Sequence, residues 1–164
     1  MITQVDAALC RLIRPHLPEG TEIRLDPPKP AWQSENRVRS VELFLFALHA
    51  AAAEETPARG VARDGGRNAG AGGTGVTRPA RRCTLSYLVT ARAGRVHEEH
   101  TLLDAALYAV VESGLLPADV EEGGLPVSLS LAGTDPTGLW PSLGIPARAG
   151  FVVSVTAGVT APKR

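Results

Sequence analysis

Few residues in this chain have the types and spacing that chemistry needs. His97-Glu98-Glu99-His100 sets four potential metal donors in a row, and imidazole with carboxylate is a good ligand set for zinc. The zinc-hydrolase pattern HExxH puts two histidines one helical turn apart with a glutamate between them, and HEEH is one residue short of it. No third ligand can be named, and His16 and His49 have no supporting context. The same four residues also read as a polar approach to a helix, with the glutamates near its positive N-terminal end. Gly70-Ala71-Gly72-Gly73-Thr74-Gly75 matches GxGxxG to the letter. That fingerprint works only between a strand and a helix N-terminus, where backbone N–H groups reach a pyrophosphate. Here no strand pattern precedes it and Arg78-Pro79 follows it.

Nucleophilic chemistry has no better footing. There is no GxSxG elbow, and Cys10 and Cys83 lie far apart with no CxxC spacing. Both fall on apolar positions of regular elements, as small core residues with free thiols do. No catalytic residue, metal site or cofactor is assigned. The remaining candidates are contact residues. Arg59, Arg63, Arg67 and Arg78, continued by Arg81 and Arg82, are the one local basic concentration. Without interleaved aromatics they make a poor single-strand platform but suit docking on an acidic protein surface. Trp32 and Trp140 lie outside the long strands, where an indole caps a core or anchors an interface. The expected interface residues are thus Trp32, Arg59, Arg81, Arg82 and Trp140.

The whole chain sets limits on these readings. It has 164 residues, with 17 Lys plus Arg against 17 Asp plus Glu and a formal net charge of zero. A neutral chain lacks the field that gathers phosphates or anionic lipid, which argues against nucleic acid and membrane as general partners. No apolar run approaches the roughly 20 residues of a membrane span, and no signal-type segment opens the chain. A cytoplasmic protein is expected.

The elements that must position these residues follow from periodicity. Val5, Ala8, Leu9, Leu12 and Ile13 recur at helical spacing, with Thr3 and Asp6 in the form of a capping box. Residues 22–26 alternate as a short strand before three prolines, and Trp32 follows in an extended loop. Residues 41–48 are apolar on both faces, with Val41, Leu43 and Leu45 on one side and Phe44, Phe46 and Leu48 on the other. Residues 54–80 contain almost no large apolar side chain, and a mobile insertion within a single domain spanning 1–164 is expected there.

Residues 83–93 alternate cleanly apart from Leu88. A second helix follows, with Thr101 and Asp104 as a capping pair and an apolar stripe of Leu102, Leu103, Ala106, Leu107, Val110 and Val111, ended by Gly114 and Pro117. Val127, Leu129 and Leu131 mark another strand, and Asp135-Pro136 opens a short helix bearing Trp140. Phe151, Val153, Val155, Ala157 and Val159 line the last strand. The expected fold class is α+β: a mostly antiparallel, mixed sheet of about five strands with two or three helices packed on one face.

Taken in order, several segments resemble a known family. They are Val5-Asp6 with Leu9, Asp26-Pro27-Pro28 with Trp32, Val41-Glu42-Leu43-Phe44-Leu45-Phe46, Thr56-Pro57-Ala58-Arg59, and Leu85-Ser86-Tyr87-Leu88-Val89-Thr90. Glu99-His100-Thr101-Leu102-Leu103, Leu139-Trp140-Pro141-Ser142-Leu143-Gly144 and Val153-Ser154-Val155-Thr156 complete the series. The chain resembles the N-terminal domain of the cap, or tail-terminator, proteins of extracellular contractile injection systems, the phage-tail-like particles that include Photorhabdus virulence cassettes and antifeeding prophages. It departs in its run of alanines at 50–53 and its longer Gly-rich insertion. The resemblance implies a tail-terminator-like fold, no catalytic residues, and a structural cap that closes the inner tube and sheath as a hexameric ring. Its implied partners are its own copies and the tube and sheath proteins. Two other readings remain open: an adaptor linking such a particle to another component, and a metal-dependent enzyme centred on His97, Glu99 and His100.

Overall fold

The computed structural model describes residues 1–33, 38–50, 82–116 and 127–158. Its elements run α1 (Ile2–Ile13), β1 (Glu22–Arg24), β2 (Ser40–Ala50), β3 (Arg82–Arg92), α2 (Val96–Ser113), β4 (Ser128–Leu131), α3 (Leu139–Leu143) and β5 (Gly150–Gly158). The expected order of three helices and five strands is the one found. The sheet has the order β1-β2-β3-β5-β4, with β1 parallel to β2 and every other pair antiparallel. It is a mixed α+β sheet, as the periodicities imply.

The principal core lies between one face of the sheet and the helices α1 and α2. Val5, Leu9 and Ile13 of α1 and Leu102, Ala106 and Val110 of α2 pack over Leu43, Leu85, Tyr87, Val89, Val153 and Val155. Each Val, Leu or Ile among them contributes about 1.5–3 kcal/mol when fully buried, so this face accounts for most of the fold's apolar stabilisation. The alternation of β3 explains the division: Leu85, Tyr87, Val89 and Ala91 face the helices, and Leu88 faces away.

Several local expectations need correction. The third helix does not join the other two, because Trp140 packs with Leu88, Val152 and Ile145 in a separate small core on the opposite face. Thr3 and Asp6 form no capping box: α1 begins at Ile2 without a side-chain cap, and the Asp6 carboxylate instead accepts a hydrogen bond from Tyr87. Likewise α2 begins at Val96, not at Thr101, whose hydroxyl donates to the His97 carbonyl from inside the helix at 3.0 Å. Glu98 and Glu99 occupy the first turn, where the helix dipole favours acidic groups. Val111 is exposed, off the buried stripe. Trp32 sits in a 3-10 turn, Pro30–Gln33, and not in extended chain. The first strand stops at Arg24, where its parallel pairing with β2 ends.

Strand β2 also changes face along its length. Leu45 pairs with Tyr87 and Ala47 with Ser86, which leaves Phe46 as an extra residue in the ladder. A bulge of this kind reverses the inward and outward sense of everything beyond it. Leu48 therefore pairs with Leu85, on the helix side, instead of continuing the face of Phe44. It is half exposed at the strand's far end.

Two boundary signals, one closing a helix and one opening a turn, act as written. Gly114 closes α2 in the left-handed region at φ 59°, with its N–H on the Val110 carbonyl. Asp135 accepts from the Thr137 N–H at 2.9 Å and caps the turn leading into α3.

Candidate interaction surface

The sheet face that carries Trp140 holds a cavity of about 260 Å³. Pro28 and Lys29 border it from the segment after β1, Thr90 and Arg92 from the end of β3, and Trp140, Ile145, Pro146 and Arg148 from α3 and the loop beyond it. Pro30 approaches the end of α3 at Gly144. The segment leading to Trp32 and the segment bearing Trp140 therefore meet on one face.

The buried polar residues of this face are organised around Glu42. Its side chain is fully buried, accepting from the Ser40 hydroxyl at 2.5 Å and from the Thr90 hydroxyl at 3.0 Å. Burial pushes its carboxyl above the usual carboxylate range, against the two hydroxyl donors and the positive charges of Arg92 and Arg148, which favour ionisation. Arg148 pairs with Glu99 at 2.5 Å, and the same Glu99 oxygen accepts from the Ala93 N–H at 3.3 Å. The first turn of α2 is thus tied to the rim of the cavity.

These contacts account for the HEEH segment. Glu99 is held by Arg148, Glu98 lies 3.7 Å from Arg39, and His97 and His100 are both exposed. Among the described residues no three His, Cys, Asp or Glu side chains converge as a metal site. Cys10 is half-buried, and desolvation, followed by the nearby Asp6, pushes its thiol pKa up, away from thiolate reactivity. Among the described residues no helix is long and apolar enough to cross a membrane.

The expected contact residues are dispersed. Trp140 is 2% exposed and serves mainly as the centre of the small core, with part of its surface on the cavity. Arg82 opens β3 and pairs with Gly158, at the opposite end of the strand from Arg92. Ten steps along the strand put them roughly 33 Å apart. Arg59, Arg81 and the glycine fingerprint at 70–75 lie outside the described residues, as does the expected mobile insertion at 54–80. Lys29, Glu42, Arg92 and Arg148 were not singled out by spacing. The available signal was Glu42, one carboxylate inside an otherwise apolar strand, which must find partners when buried.

Two further surfaces stand out among the described residues. Among the described residues β1 pairs only with Ser40, Val41 and Glu42, so the outer edge of β2 over residues 43–50 has no neighbouring strand. On α2, Tyr108 and Val111 are exposed at i, i+3 spacing, and Leu115, beyond the helix end and bridged to Ser128, is exposed as well.

This arrangement of helices and sheet occurs in known structures. The sheath/tube terminator of the PVC extracellular contractile injection system, in its extended state, superposes with a TM-score of 0.68 over 99% of this chain at 19% identity. The anti-feeding prophage cap, a tube-terminating cap, does so with a TM-score of 0.62 over 98% of the chain at 20% identity. The chain spans 57% and 55% of those proteins, a little over half their length. No curated protein sequence matches it. Residues 4–163 match the family model described as the Pvc16 N-terminal domain, and with nearly the whole chain inside that match the protein belongs to this family.

Proposed function

We propose that this chain is the tube-closing domain of a cap, or tail terminator, in a contractile tail-like particle. The observation that carries the reading is the agreement of fold over 99% of the chain with a sheath/tube terminator, joined to its family membership. The role is structural and not catalytic. Copies of the chain assemble in the cytoplasm as a hexameric ring on the last layer of tube and sheath, with residues 54–80 an insertion in a single domain.

The surfaces suit that work. A cap ends a polymer by presenting one face that continues the lattice and another that does not, and closed cyclic symmetry builds such an object from one repeated interface. The edge of β2 beyond Glu42, which pairs with no strand among the described residues, offers backbone groups to an extended arm of a sheath subunit by strand addition. The exposed apolar side chains of Tyr108 and Val111 on α2 are suited to contact between neighbouring copies.

The test is particle length. Particles from a strain lacking this protein should have irregular lengths and frayed ends in electron micrographs, and re-expression should restore uniformity. Normal length and uniform ends in the deletion strain would overturn the proposal. An adaptor would co-purify with tube and sheath in substoichiometric amounts, where a cap closed as the proposed hexamer is present at a fixed ratio of about six copies per particle end.

A further inference from the structure

Between Ala132 and Gly150 the chain leaves the sheet and returns to it. Ala132 donates its N–H to the Val152 carbonyl at 2.9 Å and Gly150 pairs with Thr90, so both ends of this excursion are fixed on the strands. The β4–β5 and β3–β5 pairings lie outside it. Within it α3 has five residues, little more than one turn, and a helix so short does not hold itself in water. Among the described residues the backbone hydrogen bonds of the excursion are internal, as with the Gly144 N–H on the Pro141 carbonyl and the Ile145 N–H on the Trp140 carbonyl. Side chains bind it to the rest of the fold. Trp140 and Ile145 pack with Leu88 and Val152, yet the cavity of about 260 Å³ leaves that packing incomplete, with Trp140, Ile145 and Pro146 of the excursion and Thr90 of β3 all on its walls. Groups that face a gap forgo dispersion contacts. Arg148 instead reaches the other layer, where it pairs with Glu99 in the first turn of α2 at 2.5 Å.

We infer that residues 133–149 form a hinged flap over the sheet face opposite α1 and α2, latched by the Arg148–Glu99 ion pair, and that the flap opens as a unit while the strands and the principal core stay folded. Opening breaks no pairing between strands, and it uncovers Leu88 and Val152. Gly133 adjoins the first fixed point, and a Cβ there would meet nothing within 4 Å, so the backbone rotation of a hinge has room at that position. Contiguous units of low local stability open in this way below the free energy of global unfolding. The latch lets a charge on the helix layer govern whether the opposite face is covered. The inference goes beyond the cap reading and does not rest on it.

The test is native-state hydrogen exchange of the purified full chain, followed by NMR in low concentrations of urea. After correction for intrinsic rates, the Gly144 and Ile145 amides should exchange faster than those of β3 by about tenfold or more, with a urea slope above zero and below that of β3. Ile13→Val, which trims the principal core, should speed β3 exchange about fivefold and leave Gly144 and Ile145 unchanged. Arg148→Gln and Glu99→Gln should each speed Gly144 and Ile145 about fivefold, the worth of one half-buried charge-assisted pair. The double variant should be no faster than either single one, because each removes the same contact. In Glu99→Gln the amide oxygen still accepts from the Ala93 N–H, which confines the change to the ion pair. A urea slope of zero at Gly144 and Ile145 would overturn the inference by assigning their exchange to fraying of α3. An equal effect of Ile13→Val on Gly144, Ile145 and β3 would overturn it by making global unfolding the route of opening. Unchanged exchange at Gly144 and Ile145 in both latch variants would overturn the latch, and the proposal with it.

Discussion

The hydroxyl of Tyr87 donates to the Asp6 carboxylate at 2.7 Å, joining the middle of β3 to the first helix across 81 residues of sequence. Tyr87 is fully buried, so its polar atom needs a partner, and α1 supplies it. The bond also sets where α1 lies along the sheet, since Val5, Ala8 and Leu9 on the same helix fill the adjoining core.

Tyr87→Phe should therefore destabilise the fold by about 1–2 kcal/mol, since a half-buried carboxylate loses its donor. Asp6→Ala should be at least as damaging, because it leaves a buried hydroxyl unpaired, and the double variant should show clear non-additivity in thermal unfolding. Burial, then Asp6, holds the phenol above its ordinary value. A raised folded pKa gives stability that is complete below the unfolded pKa of about 10 and declines as pH rises through it. Unfolding midpoints of the native protein should fall above that pH, and Tyr87→Phe should lessen the slope.

Glu42→Gln should stabilise the domain at neutral pH. The carboxyl is raised by burial, so the native protein is best off below the ordinary glutamate value of about 4.3 and loses stability as pH rises through the higher folded value. The amide keeps the shape and can still bond Ser40 and Thr90. Denaturant midpoints for the two proteins should converge near pH 4 and separate towards pH 7. A variant less stable than the native protein at pH 7 would mean that the ionised form, supported by Arg92 and Arg148, is the favoured one.

Trp140→Ala should cost about 3–5 kcal/mol, the range for truncating a buried aromatic residue. The loss falls on the small core with Leu88, Val152 and Ile145. Trp140→Phe should retain part of it. Urea unfolding read by far-ultraviolet circular dichroism reports both.

Gly150→Ala tests a close approach within the sheet. A Cβ there would lie 2.7 Å from the Val89 carbonyl oxygen and 3.2 Å from Thr90 Cγ2. The chain at the start of β5 would have to shift away from β3, at about 1–3 kcal/mol. Gly133→Ala meets nothing within 4 Å and should stay within about 0.5 kcal/mol of the native protein. Thermal melts of the pair separate the steric effect from a general effect of losing glycine.

Local signals in the sequence determine the element order, the inward face of β3, the stop at Gly114 and the cap at Asp135. Each depends on side chains a few positions apart, where helix and strand periods and capping geometry operate. The contractile-system family was legible in the same way, from ordered short segments. Other features depend on pairings between strands and loops distant in the chain. The bulge at Phe46 turns Leu48 to the helix side, α3 crosses to the opposite face, and Asp6 serves Tyr87 instead of its own helix. The cavity belongs to this second group. Lys29, Arg92 and Arg148 share no local pattern, and only the antiparallel register of β3 with β5, together with the return of the loop after β1, sets three separated cations around one tryptophan.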